Sequence, residues 1–113
     1  MPMRGLTIVV VSPDPDRFRA ALTMACAGAA LGGRMRVYLH EQAVAVLTAR
    51  GSAPAGLPDL AELRAMATES GVELNACQTG LALAGISAEH ANVAAGGMID
   101  LLTTLADDRL VTL

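Results

Sequence analysis

Residues 6–11, Leu-Thr-Ile-Val-Val-Val, form a nearly uninterrupted β-branched, apolar run near the start of the chain. A strand with polar residues on alternate positions can leave one face in water, but this one cannot. It must be buried on both faces, the condition of a strand inside a parallel sheet covered by helices. Ser12-Pro13-Asp14-Pro15 then stops the run. Asp14 is suited to cap a helix and Pro15 to occupy its first position, and Gly32-Gly33 predicts where that helix ends, at about Leu31. Phe18, Leu22, Ala25, Cys26 and Ala29 fall on one face of it, so Cys26 reads as an inert core residue.

The same alternation continues along the chain. Met35 to Leu39 reads as a second strand, with Val37 and Leu39 on one face. A second helix is expected over Glu41 to Arg50, carrying Val44 and Leu47. Gly51 to Pro58 is a breaker-rich connector that could also cover a crevice. Asp59 and Glu62 have capping-box spacing, and the helix they open is expected to turn Leu60, Leu63, Met66 and Ala67 inward and stop at Gly71. Residues 72–86 begin with strand alternation at Val72, Leu74 and Ala76, then change to helical spacing through Leu81, Leu83 and Ile86. Ser87 to His90 reads as a short capped turn with His90 exposed, and Asn92 to Ala95 as a fourth strand. Met98 to Ala106 reads as a helix whose apolar side is Ile99, Leu102 and Leu105, and Leu110 to Leu113 as a last strand. The expected fold is one α/β domain over residues 1–113, with a mostly parallel five-stranded sheet covered on both faces.

Such a sheet gathers its reacting groups at the carboxyl edge of the strands, and Cys77 stands there, where strand passes into helix. Backbone N–H groups at a helix start favour a thiolate. A helix terminus is worth only about 0.3–1 kcal/mol at exposed sites, too little to ionise a thiol of ordinary pKa at neutral pH. A nearby cation is therefore expected from elsewhere in the fold or from a partner. His40, directly after the second strand, is the one base titrating near neutral pH that this topology can bring toward Cys77. It also reads as an ordinary half-solvated strand-end histidine. Ser12 belongs to the same edge. Gly96-Gly97, before the last helix, can admit an anion to backbone amides or serve close packing.

Several classes of chemistry lack their residues. The 113-residue chain has no lysine, a net charge of -3, one tyrosine and one phenylalanine. A lysine Schiff base is excluded, and neither the basic patch nor the stacking platform of a nucleic-acid binder is present. No glycine-rich dinucleotide or phosphate loop follows a strand. The two histidines and two cysteines do not have metal-ligand spacing, and no cofactor is implied. No run is long enough to cross a membrane. Two distant cysteines form no disulfide framework, and no signal-peptide pattern precedes the first strand, so a reducing cytoplasm is the expected location. An apolar share of 53% suggests that some surface is covered by further copies of the chain.

Ala76-Cys77-Gln78, then Gly85-Ile86, Val93, Gly96-Gly97 and the closing Asp108-Arg109-Leu110-Val111-Thr112-Leu113, resemble the C-terminal half of DsrE/DsrF-like sulfur-relay proteins, which have a YchN-like fold. The resemblance implies a three-layer α/β/α domain and assembly as a homo-oligomer, a trimer or hexamer. It also implies a cysteine that accepts sulfane sulfur as a persulfide from a donor protein and passes it to an acceptor thiol. Cys77 falls at that position, with Gln78 and Thr79 as first-turn hydrogen-bonding candidates. A non-catalytic oligomeric binding or scaffold subunit of the same fold is the alternative. A thiol-dependent redox protein is a third reading, against which the lack of a nearby resolving cysteine counts.

Overall fold

The computed structural model describes residues 2–49 and 53–113. The sheet contains β1 (Leu6–Val10), β2 (Met35–Leu39), β3 (Glu73–Cys77), β4 (Ala94–Gly96) and β5 (Arg109–Thr112), in the spatial order β4-β3-β2-β1-β5. All four pairings are parallel. The two-sided apolar runs lie near the centre: every residue of β1 and β2 is buried. The short strands β4 and β5 form the edges, where brevity limits pairing with other chains.

Among the described residues, five α-helices and one 3₁₀ helix connect the strands: α1 (Pro15–Ala30), the 3₁₀ helix Glu41–Thr48, α2 (Leu60–Glu69), α3 (Gln78–Ala84), α4 (Ala88–Ala91) and α5 (Met98–Thr103). The expected caps are in place. Asp14 accepts the Asp16 N–H, and Asp59 and Glu62 complete a capping box. α1 lies on the face that carries Met35, since the Met35 side chain fills the space beside Gly28. α5 lies on the face that carries Arg36, whose guanidinium donates to the Leu101 carbonyl. The three-layer arrangement follows from chain order: β1 to β4 step across the sheet in one direction, and the return from β4 to β5 passes over the other face.

Where the fold departs from the sequence expectation, local causes are visible. The helix expected over Glu41 to Arg50 is a 3₁₀ helix to Thr48, with Arg50 outside the described residues. Its three-residue turn aligns Ala43 and Val46, both buried, along one line. The fourth strand starts at Ala94 rather than Asn92, because Asn92 takes a left-handed conformation that ends α4. α5 stops at Thr103, and Ala106, also left-handed, turns the chain toward β5. Several residues expected on inward apolar sides are exposed: Leu83 of α3 by 84%, Ile99 of α5 by 83%, and Leu102 of α5 and Met66 of α2 by about half. α3 and α5 have only seven and six residues, so each makes fewer than two turns against the sheet. Leu81 and Leu101 are their buried apolar anchors.

A buried ionic cluster adds a feature that no sequence pattern announces. Asp108 accepts from Thr7 Oγ1 at 3.1 Å and from Arg34 Nη2 at 2.8 Å, with Arg36 Nε at 3.8 Å. It ties β1, β2 and the approach to β5 together beneath α5. Gly5 leaves room for the Asp108 carboxylate, which a side chain there would strike.

Candidate functional site

β3 delivers Cys77 to the carboxyl edge as its last residue and the N-cap of α3. Its Sγ accepts the Gly80 N–H at 3.4 Å, and the residue is 7% exposed. Burial pushes the thiol pKa up, but hydrogen bonding outweighs it. The N–H groups of Gly80 and Glu41, the Tyr38 hydroxyl and the Thr79 N–H all favour the thiolate, in that order, and the thiol lies below its ordinary value. The expected cation is not part of this arrangement; among the described residues, every contributor is a neutral dipole. Several fixed dipoles converging on one sulfur make a cation unnecessary for the shift.

Two contributors depend on unusual backbone. Glu41 has a φ of 47°, a costly conformation for a residue with a side chain, and through it the chain turns its N–H toward the thiol. Gly80 makes this approach feasible: a Cβ there would lie 2.9 Å from both the carbonyl carbon and the Cα of Glu41. Tyr38, opposite Asn75 in the β2–β3 register, occupies the same face as Cys77. Its ring is buried, and its own pKa is pushed up to about 12, by burial first and then by the adjacent thiol.

The other sequence candidates divide into two groups. Gly96 is the register partner of Cys77, and Gly97 caps α5 immediately beyond it. Thr79 contributes through its backbone, and Gln78 is exposed in the first turn of α3. His40 follows Leu39, the partner of Ala76, so it reaches the same edge. There its Nε2 lies 3.5 Å from a Glu41 carboxylate oxygen, and its buried Nδ1 has no partner. His40 is not among the groups that shift the thiol. Ser12 lies beyond β2, and its hydroxyl accepts the Asp14 N–H at 3.2 Å in the turn before α1. Cys26 is half-buried on α1, and burial raises its pKa.

Two hollows open among the neighbours of Cys77, which itself lines neither. A cleft of about 170 Å³ runs under α5, with Arg36, Tyr38, Glu73, Asn75, Gly96 and Asp100 among its walls. A more apolar groove of about 490 Å³ lies between the 3₁₀ helix and α3, bounded by Glu41, Val44, Gly80 and Leu83. Among the described residues, no three acidic, histidine or cysteine side chains are grouped to hold a metal ion. No described helix is long and apolar enough to cross a membrane.

No curated protein matches the sequence. Solved structures do share the fold. The YchN protein of E. coli superposes with a TM-score of 0.69 at 22% identity, covering 98% of this chain and all of that one. A conserved protein of unknown function from Bacteroides thetaiotaomicron, BT1422, superposes with a TM-score of 0.71 at 16% identity, covering 96% of this chain and 94% of that one. At these identities the likeness concerns the fold alone. The sequence itself matches the DsrE/DsrF-like family model over residues 5–113, from the residue before β1 to the last residue of the chain. The protein belongs to the DsrE/DsrF-like family.

Proposed function

We propose that this protein is a cytoplasmic sulfur carrier in which Cys77 accepts sulfane sulfur and yields it to a partner thiol. The observation that carries the reading is the set of neutral donors around Cys77 Sγ, which lowers the pKa of a thiol that burial alone would raise. Family membership adds a sulfur-relay context. In the accepting step the Cys77 thiolate attacks the outer sulfur of a donor persulfide, R–S–SH. The donor S–S bond breaks, R–S⁻ leaves, and Cys77–S–SH forms. In the yielding step an acceptor thiolate attacks that outer sulfur, and the Cys77 thiolate is regenerated. The Gly80, Glu41 and Thr79 N–H groups and the Tyr38 hydroxyl are donors suited to the anionic sulfur at both stages. Gln78 is a further first-turn donor, and Gly96 and Gly97 border the approach on the other side. His40 would serve as proton partner only after its ring turns from Glu41, and Ser12 would need release from its turn.

The exposed Leu83, Ile99 and Leu102 suit burial between copies of the chain, so the active form is proposed to be a homo-oligomer, a trimer or hexamer, served by donor and acceptor proteins. The same apolar surface, with the low exposure of Cys77, favours a second reading as a non-catalytic scaffold subunit. Intact mass spectrometry after brief exposure to polysulfide, with Cys77→Ser and Cys26→Ser beside the native chain, separates them. A gain of one sulfur, reversed by reductant and lost only in Cys77→Ser, supports the carrier. A free Cys77 that gains none refutes it in favour of the scaffold.

A further inference from the structure

We infer that the cleft under α5 is the donor pocket of Cys77, and that it takes a small zwitterionic persulfide: an amino-acid or short-peptide thiol carrying one sulfane sulfur. The inference rests on the proposed role of Cys77 as acceptor, and adds the place and chemical class of the donor.

Cys77 does not line the cleft itself, but the geometry of the sheet sets the cleft against its immediate neighbours. Glu73 and Asn75 line it from β3, and strand alternation places Cys77 next on that face. Tyr38 lines it from β2, directly opposite Asn75. Gly96 lines it from β4 and is the register partner of Cys77. Three strands therefore bring the cleft up to the residues around Cys77.

The opposite end is polar and carries both signs of charge. Arg36, 4% exposed, is fixed there by Nε to Thr7 Oγ1, Nη1 to Thr104 Oγ1 and Nη2 to the Leu101 carbonyl. Three of its five N–H groups are thus used, and one on each terminal nitrogen is left; Asp108, 3.8 Å from its Nε, is shared with Arg34, so two guanidiniums and one carboxylate keep one positive charge between them. The Glu73 and Asp100 side chains stand on the same walls, and both residues are exposed. A carboxylate can meet the guanidinium while an ammonium group meets the two acids. A small dianion such as inorganic polysulfide meets both acids with no cation of its own, and a simple cation meets Arg36. A zwitterion satisfies both ends of the demand. From Glu73 to Cys77 is four residues of strand, about 13 Å. An amino-acid persulfide spans about half of that from head group to outer sulfur, so its head would meet Asp100 and the reach of the Glu73 side chain along the cleft, and a volume of about 170 Å³ suits a molecule of that size. Transfer is then the balanced exchange given above, with R–S⁻ leaving as the free small thiol.

The test is the rate at which Cys77 gains one sulfur, followed by mass spectrometry in a Cys26→Ser background. The donors are cysteine hydropersulfide, glutathione hydropersulfide and inorganic polysulfide. The protein is compared with its Glu73→Gln/Asp100→Asn double variant. Rates are expressed as the ratio of organic donor to polysulfide, so any change in the ionisation of Cys77 cancels. Two exposed charge contacts predict a fall in this ratio of about five- to ten-fold, with polysulfide loading faster in the variant than in the parent. A fall confined to cysteine hydropersulfide identifies an amino-acid donor, and one confined to glutathione hydropersulfide a peptide donor. An unchanged ratio for both organic donors overturns the cleft assignment while leaving Cys77 as an acceptor. Loading from no donor overturns the acceptor reading and this inference with it.

Discussion

Replacing Gly80 by alanine tests whether the site is held by close approach of two backbones. The new methyl carbon would strike the Glu41 carbonyl oxygen first and lie 2.9 Å from its carbonyl carbon, where carbon contacts settle near about 3.5 Å. The start of the 3₁₀ helix must therefore retreat by at least about 0.6 Å, and the Glu41 N–H retreats from the thiol with it. Overpacking of this kind costs about 1–3 kcal/mol. Alanine in a helix returns at most about 1 kcal/mol relative to glycine. The net loss is about 0–2 kcal/mol, or up to about 8 °C in Tm for a chain of this length. Gly85→Ala is the control. Gly85 is left-handed, with φ 68° and no atom within 4 Å of the place an added methyl would take, so its substitution costs about 1 kcal/mol through backbone strain alone. Both variants should lose stability to urea, but only Gly80→Ala should move the pH profile of Cys77 alkylation upward, toward that of an ordinary thiol. If Gly80→Ala is as stable as the parent and its alkylation profile is unmoved, the argument from backbone contact is wrong.

The two cysteines should titrate in opposite directions. With the other replaced by serine, Cys77 should alkylate with a midpoint below the usual thiol value of about 8.5 and Cys26 above it, and coincident midpoints would contradict the described environments. Since the folded state holds the Cys77 thiolate better than the unfolded state does, its contribution to stability is present above about pH 8.5 and is lost as pH falls through the folded midpoint. Tyr38, the single tyrosine, should ionise near 12 in an ultraviolet titration. Its stabilising contribution should persist below about pH 10 and disappear as pH rises toward 12. Tyr38→Phe should raise the Cys77 midpoint, and an unmoved midpoint would remove the hydroxyl from the site. Asp108→Ala leaves the buried Arg36 without its carboxylate and should cost about 3–5 kcal/mol in urea unfolding. A loss under about 1 kcal/mol would show that the cluster is relaxed by solvent.

Much of the fold was legible because it is written locally. The apolar run of β1 demanded two covered faces, and Asp14-Pro15 and Asp59 with Glu62 marked helix starts by groups that satisfy backbone donors within three residues. The errors came where local pattern outran the available partners. Ile99 and Leu102 have helical spacing, but a six-residue helix that anchors itself to the sheet through Leu101 leaves them facing outward. Asn92 and Ala106 ended or turned elements by adopting left-handed backbone; asparagine tolerates that conformation and was a readable signal, whereas alanine announces nothing of the kind.

The site divides along the same line. Cys77 could be placed at a strand-to-helix joint from sequence alone, because the change from alternating to helical spacing happens around it. Its activating groups could not be read. Tyr38 and Glu41 are far from Cys77 in the chain, and they meet it through the β2–β3 register and a strained φ. Gly80 is local to Cys77, but its value lies in the carbonyl it allows near. Sequence determines periodicity, caps and which residue type stands at a joint, since these depend on neighbours a few positions away. Only the tertiary structure decides which backbone dipoles converge on one sulfur, because their effect depends on distances set by strands from different parts of the chain.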